Sequence, residues 1–161
     1  MYSHDGIRDA LTQLAAPPLL YEELRREIAR AKRANERVGL VRLVLASKNS
    51  KLEAREDSSA SSFQEIIVNF AHCLARLSRD EDICARMGER EFLCLLHGKE
   101  ESLKTYVARI VADWSDSNNH LTRHADSAAW KLDVASLVSY PGENALELLN
   151  RLDQEILISY E

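Results

Sequence analysis

The sequence predicts an α+β fold: a two-layer sandwich in which helices lie on the faces of a mixed or antiparallel sheet. Three observations carry that prediction. The first strand is apolar almost throughout, a hairpin occupies the middle of the chain, and amphipathic helices separate the strands. The hairpin also breaks the β–α alternation that a doubly wound parallel sheet requires. With 161 residues, one domain spanning 1–161 can bury a core without disulfide or metal staples. Folding at this size removes roughly 70% of the extended-chain surface from water.

Leu20, Leu24, Ile28 and Ala31 recur at helical spacing, which predicts a helix from about Pro18 to Asn35. Its other face carries Glu22, Glu23, Arg25, Arg26, Arg30, Lys32, Arg33 and Arg37. That face reads as a solvated charged surface, with a basic partner-binding surface as the alternative. Gly39 opens GLVRLVLA, a mostly buried strand ending near Ala46. Residues 47–62 are polar and read as a loop or a weak helix start. Phe63, Ile66, Ile67, Phe70, Leu74 and Leu77 mark a second amphipathic helix. Ile83–Met87 and Phe92–Leu96 flank Gly88-Glu89-Arg90-Glu91, a hairpin signal. Leu103, Tyr106, Val107, Ile110, Val111 and Trp114 line one face of a third helix. Ser115 to Asp126 is polar and reads as a loop with room for a short edge strand. Trp130 to Tyr140 predicts another strand, closed by the turn Pro141-Gly142-Glu143-Asn144. Leu146, Leu149, Leu152 and Ile156 mark the last helix. Trp114 and Trp130 read as core or edge packing.

Composition excludes several functions. Lys and Arg total 21 against 26 Asp and Glu, a net charge of −5. Non-specific nucleic-acid binding needs phosphate neutralisation, so no nucleic-acid partner is expected. A local Arg cluster can still hold a small anion. The five glycines are all isolated, which excludes a Walker A loop and a dinucleotide fingerprint. Cys73, Cys84 and Cys94 have no C-x-x-C spacing and read as small buried hydrophobes in a reducing compartment. His120 and His124, with Asp126 nearby, read as exposed loop residues and not as a metal site. No apolar run is long enough to span a membrane, and the opening MYSHDGIRDA lacks a signal-peptide core. A cytoplasmic chain with no membrane segment is the expectation.

Asp9-Ala10-Leu11-Thr12-Gln13-Leu14 resembles a D-x-L-T-G-L opening segment. Residues 79–92, RDEDICARMGEREF, resemble R-x-x-D-x-x-A-R-x-G-G-D-E-F. Tyr140-Pro141 and Arg151-Leu152-Asp153 resemble closing Y-P and R-A-D segments. In order and spacing, these motifs resemble the GGDEF domains, the diguanylate cyclase fold, from about Asp9 to Tyr160. The resemblance implies a nucleotidyl cyclase-like fold with a central five-stranded mixed sheet and helices on its faces. The family condenses two GTP molecules into cyclic di-GMP with bound Mg²⁺. Its metal-binding carboxylates fall at Ala46 and Arg90, so one ligand is absent and the other carries the opposite charge. Its second motif glycine is Glu89, and its phosphate-binding Lys falls at Tyr160. Its guanine-reading segment falls in Ala54 to Gln64, with no counterpart of its Asn, Gly or Asp in a sensible register. The signature Gly88, Glu89, Arg90, Glu91 and Phe92 is therefore degenerate. No catalytic residue, metal or cofactor is expected, and no diguanylate cyclase activity.

Arg79 and Asp82 keep the R-x-x-D pattern, with Asp82 six residues before Gly88 as in the family. In the family this pair forms an inhibitory site for cyclic di-GMP. The residue types suit the ligand: a guanidinium fork matches guanine O6 and N7, and a carboxylate accepts from N1–H and N2–H₂. Arg109 falls where a further Arg completes the family site. Arg79 and Asp82 also read as a surface ion pair, and Arg86 as structural. The expected function is an inactive receptor for cyclic di-GMP, signalling to a homodimer mate or a partner domain. The alternative is a nucleotide-independent interaction or dimerisation module. A third reading has Arg90 hold a nucleotide phosphate without metal or turnover.

Overall fold

The computed structural model describes residues 2–47, 60–121 and 130–160. In chain order the elements are α1 (Pro17–Ala34), β1 (Val38–Ser47), α2 (Ala60–Leu77), β2 (Ile83–Arg86), β3 (Glu91–His97), α3 (Glu100–Leu121), β4 (Trp130–Val138), α4 (Ala145–Gln154) and β5 (Ile158–Tyr160). The five strands lie in the order β2-β3-β1-β4-β5. Each ladder is antiparallel, which corrects the expected mixed sheet.

The most apolar strand, β1, sits at the centre, paired to β3 on one side and β4 on the other. Side chains of a strand alternate between faces. Val41, Leu43 and Leu45 face a core built with Ile67, Phe70 and Leu74 of α2 and Tyr106, Ile110 and Trp114 of α3. Val38 and Leu40 face a second core with Leu20, Leu24 and Ala31 of α1 and Leu148 and Leu152 of α4. Both faces are apolar, so both are covered. The sheet is thus the middle of three layers, not one of two.

Local chemistry sets the helix ends. Prolines open α1, where the missing N–H costs nothing. Asn35 closes it at φ 55° and donates its N–H to the Ala31 carbonyl. The charged face of α1 is solvated and pairs internally, with Arg25 on Glu22 at 2.8 Å and Arg30 on Glu27 at 3.1 Å. Asn144 caps α4 by accepting from the Glu147 N–H. At Gly39 the reason for glycine is packing: a Cβ there would meet Leu103 Cδ1 of α3 at 2.4 Å.

Three boundaries depart from expectation. Helix α3 runs through Leu121, past Ser115 where a loop was expected. Propagation adds a hydrogen bond per residue once a helix is nucleated, so polar residues extend it beyond Trp114. Helix α4 ends at Gln154, and its buried stripe is Leu148 and Leu152, while Leu146 and Ile156 are exposed. The C-terminal residues then form β5 on β4. Among the described residues, no helix is long and apolar enough to cross a membrane.

The segment before α1 is ordered around Asp9. Its Oδ2 accepts from the N–H of Thr12 at 2.8 Å and from the Thr12 hydroxyl at 2.6 Å. Arg86 Nη1 lies 3.3 Å from Asp9 Oδ1, and both residues are buried. Arg86 Nη2 donates to the Glu89 carbonyl at 2.9 Å, and its guanidinium stacks on the Tyr2 ring. Arg86 thus takes the structural role. Leaving one member of such a buried pair alone costs about 3–5 kcal/mol. Ala15 then bridges to β2, donating to the Cys84 carbonyl and accepting from the Arg86 N–H.

Candidate ligand-binding site

The R-x-x-D pair lies on the turn between α2 and β2. Leu77 ends the helix, and the Ser78 hydroxyl donates back to the Leu74 carbonyl at 2.6 Å. The Asp82 N–H donates to the Arg79 carbonyl at 3.0 Å, closing the turn. Asp82 Oδ2 in return accepts from the Arg79 N–H at 2.9 Å. The carboxylate therefore meets the Arg79 backbone and not its guanidinium, so the surface ion pair is not formed.

A cavity of about 300 Å³ opens beside this turn, and Arg79, Asp82 and Arg109 all line it. The three residues singled out in the sequence come together there from α3 and the α2–β2 turn. Arg79 and Arg109 are exposed, and Asp82 is half-buried. Neither guanidinium has a hydrogen-bond or ion-pair partner among the described residues. Thr105 and the buried Tyr106 of α3 line the cavity too, together with Glu101 and His97.

Sequence reasoning missed Tyr106 and His97 as site residues. Tyr106 was legible only as a core position of its helix. His97 Nε2 lies 3.1 Å from the Glu81 carbonyl, and its Nδ1 lies 2.9 Å from Glu27 Oε2 and 3.0 Å from Arg30 Nη2. The ring ties the turn to α1. Nothing local in the sequence marks that role, because its partners come from two other elements.

The hairpin end of the sheet has a different character. Arg90 of the β2–β3 turn stacks its guanidinium on Phe63 and Trp130, with centroid distances of 5.2 and 4.9 Å. Trp130 is thus edge packing, while Trp114 packs edge-on against Phe70 in the core. Glu91 accepts from Arg42 Nε at 2.7 Å. Ala46 pairs with Lys131 in the β1–β4 ladder. Phe92 is buried against Phe70. Gly88 meets no constraint: a Cβ there would have its nearest neighbour at 3.9 Å. Mg²⁺ wants several oxygen ligands in octahedral array. Among the described residues at these positions, Ala46 offers no oxygen, Arg90 is a cation stacked on Phe63 and Trp130, and Glu91 is engaged by Arg42, and that donor set does not fit the ion.

Tyr160 lies on β5 opposite Leu132 and is partly buried against the core. Tyr140 and Arg151 meet, with the guanidinium 3.9 Å from the ring centroid. Arg151 also donates to Glu143 and to the Val138 carbonyl, so the closing segments lock α4 to the sheet. Residues 54–59, where the family's guanine-reading segment was expected, and His124 and Asp126 lie outside the described residues.

The chain matches the family model "Diguanylate cyclase, GGDEF domain" over residues 6–158. No curated protein sequence is significantly similar to it. Among solved structures, the GGDEF domain of DgcB from Caulobacter crescentus in complex with c-di-GMP superposes with a TM-score of 0.77. It shares 20% identity over 94% of this chain and 88% of that one. The FimX GGDEF domain from Pseudomonas aeruginosa gives 0.73 at 18% identity, covering 91% of this chain and 89% of that one. Diguanylate cyclase SiaD in complex with its activator SiaC, also from Pseudomonas aeruginosa, gives 0.71 at 23% identity. That match covers 91% of this chain and 55% of that one.

Proposed function

Since the chain belongs to the GGDEF domain family, we propose that it is a catalytically inactive member that receives cyclic di-GMP through Arg79, Asp82 and Arg109. The observation that carries this reading is their convergence on one cavity, with both guanidiniums unpartnered among the described residues. Unpaired Arg forks match the O6 and N7 acceptors of guanine and the anionic phosphates. The Asp82 carboxylate, fixed by its own turn, is the acceptor for the guanine N1–H edge. A chain with net charge −5 offers no general attraction for a dianion, so placed guanidiniums must supply it. The inactive reading is supported by the hairpin end, where Ala46 and Arg90 stand at the positions of the two metal-binding carboxylates and Arg42 engages Glu91.

Calorimetric titration with cyclic di-GMP tests the receptor role. Wild-type protein should bind, and Arg79→Ala should weaken binding at least about tenfold, the loss of one charge-assisted pair. Among the described residues the Arg79 side chain has no structural partner to lose, so folding of the variant is unaffected. Absence of heat with the wild type overturns the reading. Incubation with GTP and Mg²⁺ followed by chromatography tests inactivity, and cyclic di-GMP product would overturn it. The exposed Leu146, Ile156 and Ile158 favour a second reading, an interaction module. A ligand-independent, concentration-dependent mass in sedimentation is its signature.

A further inference from the structure

Cys84 and Cys94 face each other across the β2–β3 ladder, with sulfurs 3.0 Å apart. The register makes this a non-hydrogen-bonded pair. Met87 donates to the Glu91 carbonyl, which places the hydrogen-bonded positions at residues 83, 85 and 87 of this strand. The Cys84 carbonyl and the Arg86 N–H instead point outward to Ala15. Non-hydrogen-bonded pairs hold their Cα atoms about 4.5 Å apart, within the span a disulfide bridges. All three cysteines are free thiols here.

The two cysteines differ in residue burial and in acidity. Cys84 is half-buried and lines a second cavity, of about 540 Å³, together with Ser78, Arg79 and Asp82. Cys94 is fully buried behind it. The Cys94 thiol, the Ser78 hydroxyl and the Tyr106 phenol surround Cys84 Sγ at 3.0, 3.1 and 3.4 Å. Hydrogen bonding, first from Cys94, pulls the Cys84 thiol below its ordinary range against the cost of burial. Burial pushes Cys94 well above it. Reactive thiols are the accessible, acidified ones, and redox-active thiols often have a resolving cysteine beside them.

We propose that Cys84 and Cys94 are a peroxide-responsive dithiol, in which Cys84 is oxidised first and Cys94 resolves it to a cross-strand disulfide. The Cys84 thiolate attacks one peroxide oxygen; an S–O bond forms, the O–O bond breaks, and the departing oxygen leaves as water after taking up a proton. Cys94 then gives up its proton and attacks the Cys84 sulfur. The S–S bond forms, the S–O bond breaks, and a second water leaves. Two electrons pass from the sulfurs to the peroxide. This inference needs no cyclic di-GMP binding and stands apart from it.

Trypsin cleavage after Lys and Arg places Cys73, Cys84 and Cys94 on separate peptides, 56–76, 80–86 and 91–99. Folded full-length protein is treated with hydrogen peroxide, alkylated with iodoacetamide and digested without reductant. The expected result is a linked 80–86/91–99 peptide that dithiothreitol separates, with Cys73 alkylated. Cys73 is buried on α2, and burial raises its thiol to about 12, so it serves as the internal control. Cys94→Ala should leave Cys84 as a sulfenic acid that dimedone traps, whereas Cys84→Ala should leave Cys94 fully alkylated once unfolded. Wild-type protein that yields only Cys84 sulfinic acid, or a link through Cys73, overturns the proposal. So does full alkylation of both sulfurs after peroxide.

Discussion

Asp82 is positioned before any ligand arrives. Its Oδ2 is held on the Arg79 N–H, so the entropy of placing that carboxylate is already spent in folding. The arginines are different: both are long, exposed and unpartnered among the described residues, and ordering them is part of the cost of binding. A second residue pair gives a pH prediction. Glu143 accepts from Arg151, and that hydrogen bond, ahead of the opposing effect of burial, holds its carboxyl below the ordinary 4.5. A depressed folded value means the pair stabilises the native state fully above about pH 4.5 and loses this as pH falls through the folded value. Arg151→Gln should therefore lower stability at pH 7 and flatten the acid limb of a urea-midpoint-against-pH curve. An unchanged acid limb would show that the pair contributes nothing. At this scale the sequence was legible where a residue type is chemically restricted. Arg79, Asp82, Asp9 and Arg86 all carried a readable pattern. His97, Tyr106 and the Cys84–Cys94 contact did not, because their meaning depends on partners brought in from other elements.

Elements were legible where they were periodic. The stripes of α1, α2 and α3 and the two sides of the hairpin all sit where spacing put them. The three-residue β5 is too short for any period to show, and Ile156 was drawn into the preceding helix for that reason. In α4 the apolar residues form one broad face with Leu146 and Leu148 at its two margins, and contact with α1 selects Leu148 over Leu146. Packing between elements yields the next prediction. Gly39 lets Leu103 of α3 come down onto β1, and a methyl there would stand 2.4 Å from Leu103 Cδ1. Gly39→Ala should cost about 1–3 kcal/mol by overpacking, read as a lower thermal midpoint. Gly39→Ala combined with Leu103→Ala should recover part of that loss, since the clash is gone. No recovery would place the cause in the strand backbone instead.

Over the whole molecule, pairing was the part sequence could not supply. β1 and β4 are about ninety residues apart in the chain yet form the longest ladder, and local periodicity carries no information about such partners. The family resemblance supplied the number of strands but not their order, and its mixed sheet proved antiparallel throughout. The three-layer build also has a functional corollary. The cavity of Arg79, Asp82 and Arg109 lies at the junction of α3 with the α2–β2 turn, so a ligand there ties together two elements of one layer. Binding to the native state alone stabilises it by about 2.7 kcal/mol at a ligand concentration one hundred times the Kd. For a chain of this size that corresponds to a rise in Tm of about 5–10 °C. The rise should keep growing with the logarithm of cyclic di-GMP concentration above the Kd, be clearly smaller with Arg79→Ala, and be absent with GMP at the same concentration. An equal shift with GMP would mean that the cavity reads a single base and not the cyclic dinucleotide.

Ala15 covers more than a gap in the core. By donating to Cys84 and accepting from Arg86, it occupies hydrogen-bonding groups on the outer rim of β2, which would otherwise be open to a strand from another molecule. The opposite rim is only as long as Ile158–Tyr160. One end of the sheet is thus clipped shut and the other is cut short, so growth by strand addition finds little purchase at either end. Colloidal behaviour at high concentration is governed by this blunting of the two rims as well as by net charge.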